Sequence, residues 1–205
     1  MNKKSIYVYI AATLAMIIPA PGRFACGLIL VLELNILMLV GTLLRDLIRR
    51  LRLEKTGELL LISMLISVTL LMRQIVVLIM PETAMQLGFV MYLPSVSSYF
   101  IGYMFGEEQN ELGAALSRNM KHSMLYSLFA LSFFIVRDVA GFGTITYITS
   151  GGIRQKVLFD SENITVMTFF ATIPGALVCT AVVLIVHVFL FNKFRIVENA
   201  EENDD

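Results

Sequence analysis

"MYLPSVSSYFIGYMF", residues 91–105, is apolar enough to enter a bilayer, yet its centre carries Pro94, Ser95, Ser97 and Ser98. Proline removes a main-chain donor and clashes with the preceding turn, so it breaks or kinks a helix interior. Lipid cannot satisfy the freed backbone groups. Such breaks persist in membranes only where protein covers them or where they line a cavity. The stretch therefore predicts a broken membrane helix, with Pro94, Ser97 and Ser98 as a candidate polar site inside the membrane.

The surrounding chain has the composition that this reading needs. Of 205 residues, 57% are hydrophobic and 16% charged, and the mean hydropathy is +0.77. A soluble domain carries about 25% charged residues. Here the charges gather between apolar runs, as in a helical protein that crosses the bilayer several times. Six segments are candidates to span, at 5–20, 24–44, 58–80, 86–106, 122–142 and 166–191. The expected fold is all-α, one six-helix transmembrane domain over residues 1–195, followed by an acidic, disordered tail at 196–205. The first segment has a competing reading. "MNKKSIYVYIAATLAMIIPAPG" has the basic start, apolar stretch and small residues near Ala20 of a secretory signal, but Ile18 stands where cleavage wants a small side chain. A retained helix is the expectation.

Charge placement gives an orientation. Lys3, Lys4, Arg45, Arg49, Arg50, Arg52, Lys55, Arg118, Lys121, Lys193 and Arg195 fall on the side of both termini, against Arg23, Arg154 and Lys156 on the other. The positive-inside rule then predicts cytoplasmic N- and C-termini, in a bacterial inner membrane. Net charge is zero, and no basic patch with interleaved aromatics points to nucleic acid. Cys26 and Cys179 lie far apart in apolar segments and fit neither a metal spacing nor a disulfide framework. No nucleophile–base pair, phosphate loop or metal set is present, so no catalytic residue is assigned. The longest non-cytoplasmic loop is expected at 144–165, with a turn at Gly151-Gly152.

Ionisable residues at the centre of a membrane helix cost about 2.5–3.5 kcal/mol on insertion scales, so each is a candidate for function. Glu33 lies near the middle of the second segment, two residues before Asn35. It reads either as an ion- or proton-binding carboxylate, or as a buried acid that is neutral or paired with an arginine and fixes helix packing. Arg73 is placed to snorkel outward, or to pair with Glu33. His122 and His187 lack a ligand set and read as interfacial or satisfied histidines. In "IVRDVAGFGTITY", residues 135–147, adjacent Arg137 and Asp138 point about 100° apart on a helix and each needs its own partner. Gly141 and Gly143 then end the helix, and Thr144 offers a local hydroxyl. The plain alternative is a helix end at the outer interface with snorkelling charges. "IPGAL" (173–177), with Pro174 and Gly175, and "IIPAPG" (17–22) are further breaks. Pro94 near the start of the second half and Pro19 and Pro21 in the first suit a three-plus-three repeat.

Taken in order, these pieces resemble a family. "MPETAMQLGFVMYLPSVSS", "FFIVRDVAGFGTITY" and "ATIPGALVCTAVVLIV", with a looser match over "FACGLILVLELNILMLVGTLLRDLI", are similar to the small six-helix subunits of the Rnf and Na⁺-translocating NADH:quinone reductase (Nqr) complexes. These are subunits A and E of Rnf and D and E of the reductase. The resemblance implies interlocked inverted repeats with broken half-helices, and pairing with an oppositely oriented homologous six-helix subunit. It also implies a [2Fe–2S] cluster held between the two subunits by cysteines of the half-helices, with electron transport coupled to Na⁺ or H⁺ movement. Cytoplasmic termini match the orientation of Rnf E or reductase D. The chain departs from the pattern where the metal would be bound. Aligned on Pro94, the family's cysteine falls on Phe100; aligned through Gly88 and Gly102, it falls on Ser98. Asp138 stands in place of the family's glutamate, and Cys26 and Cys179 are not at the cysteine positions.

Two functions follow. One is a non-catalytic membrane subunit of an Rnf- or Nqr-type translocating complex, a scaffold or ion path without iron–sulfur cysteines. Glu33, Asn35, Pro94, Ser97 and Ser98 would then line the path, and Arg137, Asp138, Gly141, Gly143, Thr144, Pro174 and Gly175 would lock the repeats. The other is a small-molecule transporter, or the substrate-binding membrane subunit of a vitamin-type permease, whose broken helices would bind solute near the midplane.

Overall fold

The computed structural model describes residues 12, 14–53, 56–105, 112–149, 152–158 and 167–201. Most of the expected first segment, the side chain of His187, Gly151 and residues 202–205 lie outside the described residues. The chain is mostly helical. A helical stretch ends at Met16 and runs through a turn over 17–19 into α1, Phe24–Arg50. Next come α2, Gly57–Ile79, and the short α3, Pro81–Leu87. A 3₁₀ turn over Gly88–Tyr92 leads to α4, Leu93–Phe105. After it come α5, Leu112–Phe142; β1, Thr144–Thr149; β2, Gly152–Val157; α6, Met167–Ala171; and α7, Ile173–Glu201.

Among the described residues, three helices, α1, α2 and α5, are long and apolar enough to cross a bilayer, and α7 carries a shorter apolar stretch over Ile173–Val186. Their outward faces explain why this is a membrane protein. On α2, Leu71 is 61% exposed and Leu78 83%. A soluble helix buries such a stripe, whereas lipid solvates it without cost. Helix α1 is central. It packs on α5, α4 and α2 and buries Cys26, Leu30, Leu34 and Leu37 among them. The largest core cluster joins it to Met91 and Ile101 and to Tyr126, Phe133 and Phe134 of α5. Gly27 lets α5 approach, because a Cβ there would collide with the Phe134 ring.

Three expectations need correction. The fold is not purely α: β1 and β2 form an antiparallel hairpin with Thr149 opposite Gly152. Residues Thr144–Thr149 alternate buried and exposed at their start, and a Ser-Gly pair joins the strands, so a hairpin pattern is present in what reads as a plain loop. The chain does not break at Pro94. It turns at Gly88, where φ is +48°, and through the 3₁₀ turn, and Pro94 sits in the first turn of α4. There its missing N–H would have no helical partner in any case. Pro174 likewise lies in the first turn of α7, and the break is at Thr172, between α6 and α7. Helix α7 also runs through 196–201, part of the stretch expected as a disordered tail.

Candidate functional site

The interior holds two polar regions of different construction. The first is a junction at the ends of α1, α5 and α7, centred on Arg137 and Asp138, which are 2% and 0% exposed. Neither snorkels, so the interfacial alternative does not hold. Arg137 donates to the Ala20 carbonyl at 2.7 Å, to Ala171 at 3.0 Å and to Phe170 at 3.3 Å. It thereby satisfies carbonyls of two separate chain breaks, the one before α1 and the one before α7. Lipid offers no donor for such carbonyls, and a guanidinium supplies five in fixed directions.

Asp138 serves the opposite polarity. Its carboxylate accepts from the Phe24 N–H at 3.1 Å, the Thr146 N–H at 2.8 Å, the Thr146 hydroxyl at 2.7 Å and the Thr144 hydroxyl at 3.2 Å. The Ala25 N–H goes to Thr146 Oγ1 at 3.0 Å. Two orphan donors of the α1 N-terminus are thus capped from elsewhere in the chain, and the carboxylate sits at the positive end of the helix dipole. Gly143 ends α5 with φ +63° and its N–H on the Val139 carbonyl, as a left-handed cap glycine does. Gly141 admits the Ala171 backbone, which a Cβ would meet at 3.0 Å. At α7, Thr172 caps the helix with its hydroxyl oxygen near the Gly175 N–H, and Gly175 passes the Phe169 carbonyl too closely for any side chain. Arg137, Asp138, Gly141, Gly143, Thr144 and Gly175 therefore meet in one place, with Pro174 in the adjoining first turn.

The residues expected along an ion path do not form one set. Asn35 faces α5, where its amide donates to Ser127 Oγ at 2.7 Å and accepts from the Ser123 hydroxyl at 2.8 Å. Ser97 donates to the Ala12 carbonyl at 2.9 Å, Ser98 to the Ser95 carbonyl and Ser95 to the Tyr92 carbonyl. Glu33 stands apart. It is 1% exposed and neither of its oxygens has a hydrogen-bond partner. Arg73 is not its counter-ion, because it donates to the Tyr92 hydroxyl and lies over that ring.

A chamber of about 20 Å³ lies beside the stretch of α1 from Leu37 to Arg45, bounded also by Ser98 and Asn119 among others; Glu33 does not line it. Asn119 Nδ2 donates to Thr42 Oγ1, its Oδ1 is buried with no partner, and Arg45 closes the far end on the Gly102 carbonyl at 2.7 Å. Several residues of these regions went unnoticed in the sequence. Thr146 and Arg23, which bonds Thr144 and Gln155, left no local signal. Asn119, Ser123 and Ser127 did: spacing by four places them on one face of α5, a polar stripe inside an apolar helix.

An iron–sulfur cluster does not fit what is present. Ser98 and Phe100 offer no thiolate, and the Ser97 and Ser98 hydroxyls are committed to main-chain carbonyls. Cys26 lies within electrostatic reach of Arg23 and Asp138, and Cys179 of Arg137, so both cysteines belong to the junction. Among the described residues no group of three or more His, Cys, Asp or Glu is placed to hold a metal. Comparisons with protein-family models, curated proteins and solved structures find no match.

Proposed function

We propose that this chain is a non-catalytic membrane subunit of an Rnf- or Nqr-type ion-translocating electron-transport complex, contributing scaffold and ion path without iron–sulfur ligands of its own. The observation that carries the reading is the Ser97–Ala12 hydrogen bond. It brings the first and fourth apolar segments together one residue from Ser98, where one alignment with the subunits this chain resembles puts their cysteine. The Arg137–Asp138 junction adds support, because it ties the breaks before α1 and α7 to the end of α5. Chain breaks held by dedicated partners suit an inverted repeat better than a simple bundle.

On this reading six segments span the bacterial inner membrane with both termini in the cytoplasm. An oppositely oriented homologous subunit lies alongside, and Na⁺ or H⁺ passes the pair. The loss of thiolates moves this chain from electron carrier to support and ion conduction. Affinity purification of the tagged full-length chain from its own membranes tests it. Flavin- and iron–sulfur-bearing subunits should co-purify, together with a second six-helix chain. Co-purification of an ATPase module with a bound metabolite would replace this reading with a permease, and recovery of the chain alone would reject both.

A further inference from the structure

Among the described residues, Glu33 is a buried carboxyl that nothing satisfies. Both oxygens are enclosed and without partners, and no charged or hydrogen-bonding group acts on it. The charges on every neighbouring element are engaged or distant. On α1, Arg45 holds the Gly102 carbonyl, and Asp46 pairs with Arg49 and Arg50, three turns or more beyond Glu33. On α5, Arg137 and Asp138 belong to the junction, while Arg118, Lys121 and His122 flank Asn119 at the far end. On α2, Glu58 is in the first turn and Arg73 is on Tyr92. Between Leu93 and Gly102, α4 carries no charge, and its Tyr99 phenol lines the chamber. The thiol of Cys26, the Tyr126 phenol and the thiol of Cys179 complete the titratable groups of the core.

An ionised carboxylate without a counter-ion is among the most costly groups to bury. Because Glu33 is 1% exposed within the chain itself, neither lipid nor a docked subunit can bring it an opposite charge. A metal cation wants several oxygen ligands. The residues one turn away on the same helix, Ile29, Leu30, Ile36 and Leu37, supply no side-chain oxygen. A proton needs no ligand cage.

We propose that Glu33 is a proton-binding carboxyl in the core of the bundle. The inference rests on the ion-path part of the proposed function and assigns the ion. Loading adds one proton from water to a carboxylate oxygen and release returns it, with no electron moved and no other bond broken.

Infrared difference spectroscopy on the full-length chain in liposomes tests it, with stepped pH. A protonated-carboxyl carbonyl band should appear as pH falls, be lost in Glu33→Gln and be unmoved by added Na⁺ at fixed pH. If Glu33→Gln does not assemble, ¹³C-glutamate in the unaltered chain assigns the band instead, by its isotope shift. Absence of a glutamate band, or its removal by Na⁺, would overturn the proton assignment. A chain that shows the band yet purifies without redox subunits keeps the carboxyl and loses the complex, so the two readings fail separately.

Discussion

Asp138 and Glu33 are acids buried in one core, at 0% and 1% exposure, and the fold treats them in opposite ways. Asp138 accepts from two main-chain N–H groups and two hydroxyls, whereas Glu33 accepts from none. A carboxylate so surrounded is a structural anion whose charge the fold has built around. One left bare adds nothing to folding that a leucine would not add better. The difference separates a carboxylate the fold is built around from one it leaves unpartnered more sharply than burial, which is the same for both.

The largest effect expected is at Asp138. Asp138→Ala orphans the N–H groups of Phe24 and Thr146 inside the protein and strips the α1 N-terminus of its negative partner. Each lost charged hydrogen bond is worth about 1.5–3 kcal/mol, and breaking a buried charged cluster typically costs roughly 3–5 kcal/mol. Denaturant unfolding in mixed micelles should show a loss of that order. A loss under about 1 kcal/mol would mean that water or lipid headgroups reach the junction, and the contrast with Glu33 would collapse.

Glu33 should respond with the opposite sign. Glu33→Leu replaces an unsatisfied polar group by an apolar one of similar volume, removing a burial cost of about 1–3 kcal/mol. The same micelle unfolding measures it, and a gain near 1 kcal/mol is expected, since Glu33 is 1% exposed with both oxygens unpartnered. If the proposed function holds, ion movement in the reconstituted complex should be lost at the same time. Destabilisation of 2 kcal/mol or more would show that Glu33 has a partner and belongs with Asp138 as a structural acid.

The two acids were unequally legible in the sequence, for a physical reason. Glu33 stands alone in an apolar helix, so the cost of insertion marks it without knowledge of the fold. Arg137 and Asp138 lie near a glycine-rich helix end, where composition alone favours snorkelling. Their true partners, Ala20, Phe24, Thr146, Phe170 and Ala171, are main-chain groups or hydroxyls, and most of these are remote in sequence. Main-chain partners leave no trace in residue identity. Pro94 misled for a related reason. Proline breaks a helix interior but suits its first turn, and the boundary is set at Gly88 with its positive φ, which a single glycine among apolar residues does not announce.

The smallest effect tests whether partner number, rather than polarity, decides what a buried group contributes. Ser127 Oγ takes a hydrogen bond from Asn35 Nδ2 and gives one to the Ser123 carbonyl. Ser127→Ala removes both, yet Asn35 keeps the Val31 carbonyl at 2.8 Å and the Ser123 hydroxyl at 2.8 Å. The Ser123 carbonyl lies within the hydrogen-bonded ladder of α5. No group is orphaned, so the loss should be near the average for interhelical hydrogen bonds in membranes, about 0.6 kcal/mol. A double-mutant cycle with Asn35→Ala in the micelle assay isolates the pair. Coupling well above 1.7 kcal/mol, the upper end measured for such bonds, would mean that the Asn35–Ser123–Ser127 stripe is a third structural centre. Asp138 would then be one member of a continuous polar seam along α5, and Glu33 would be the exception to that seam.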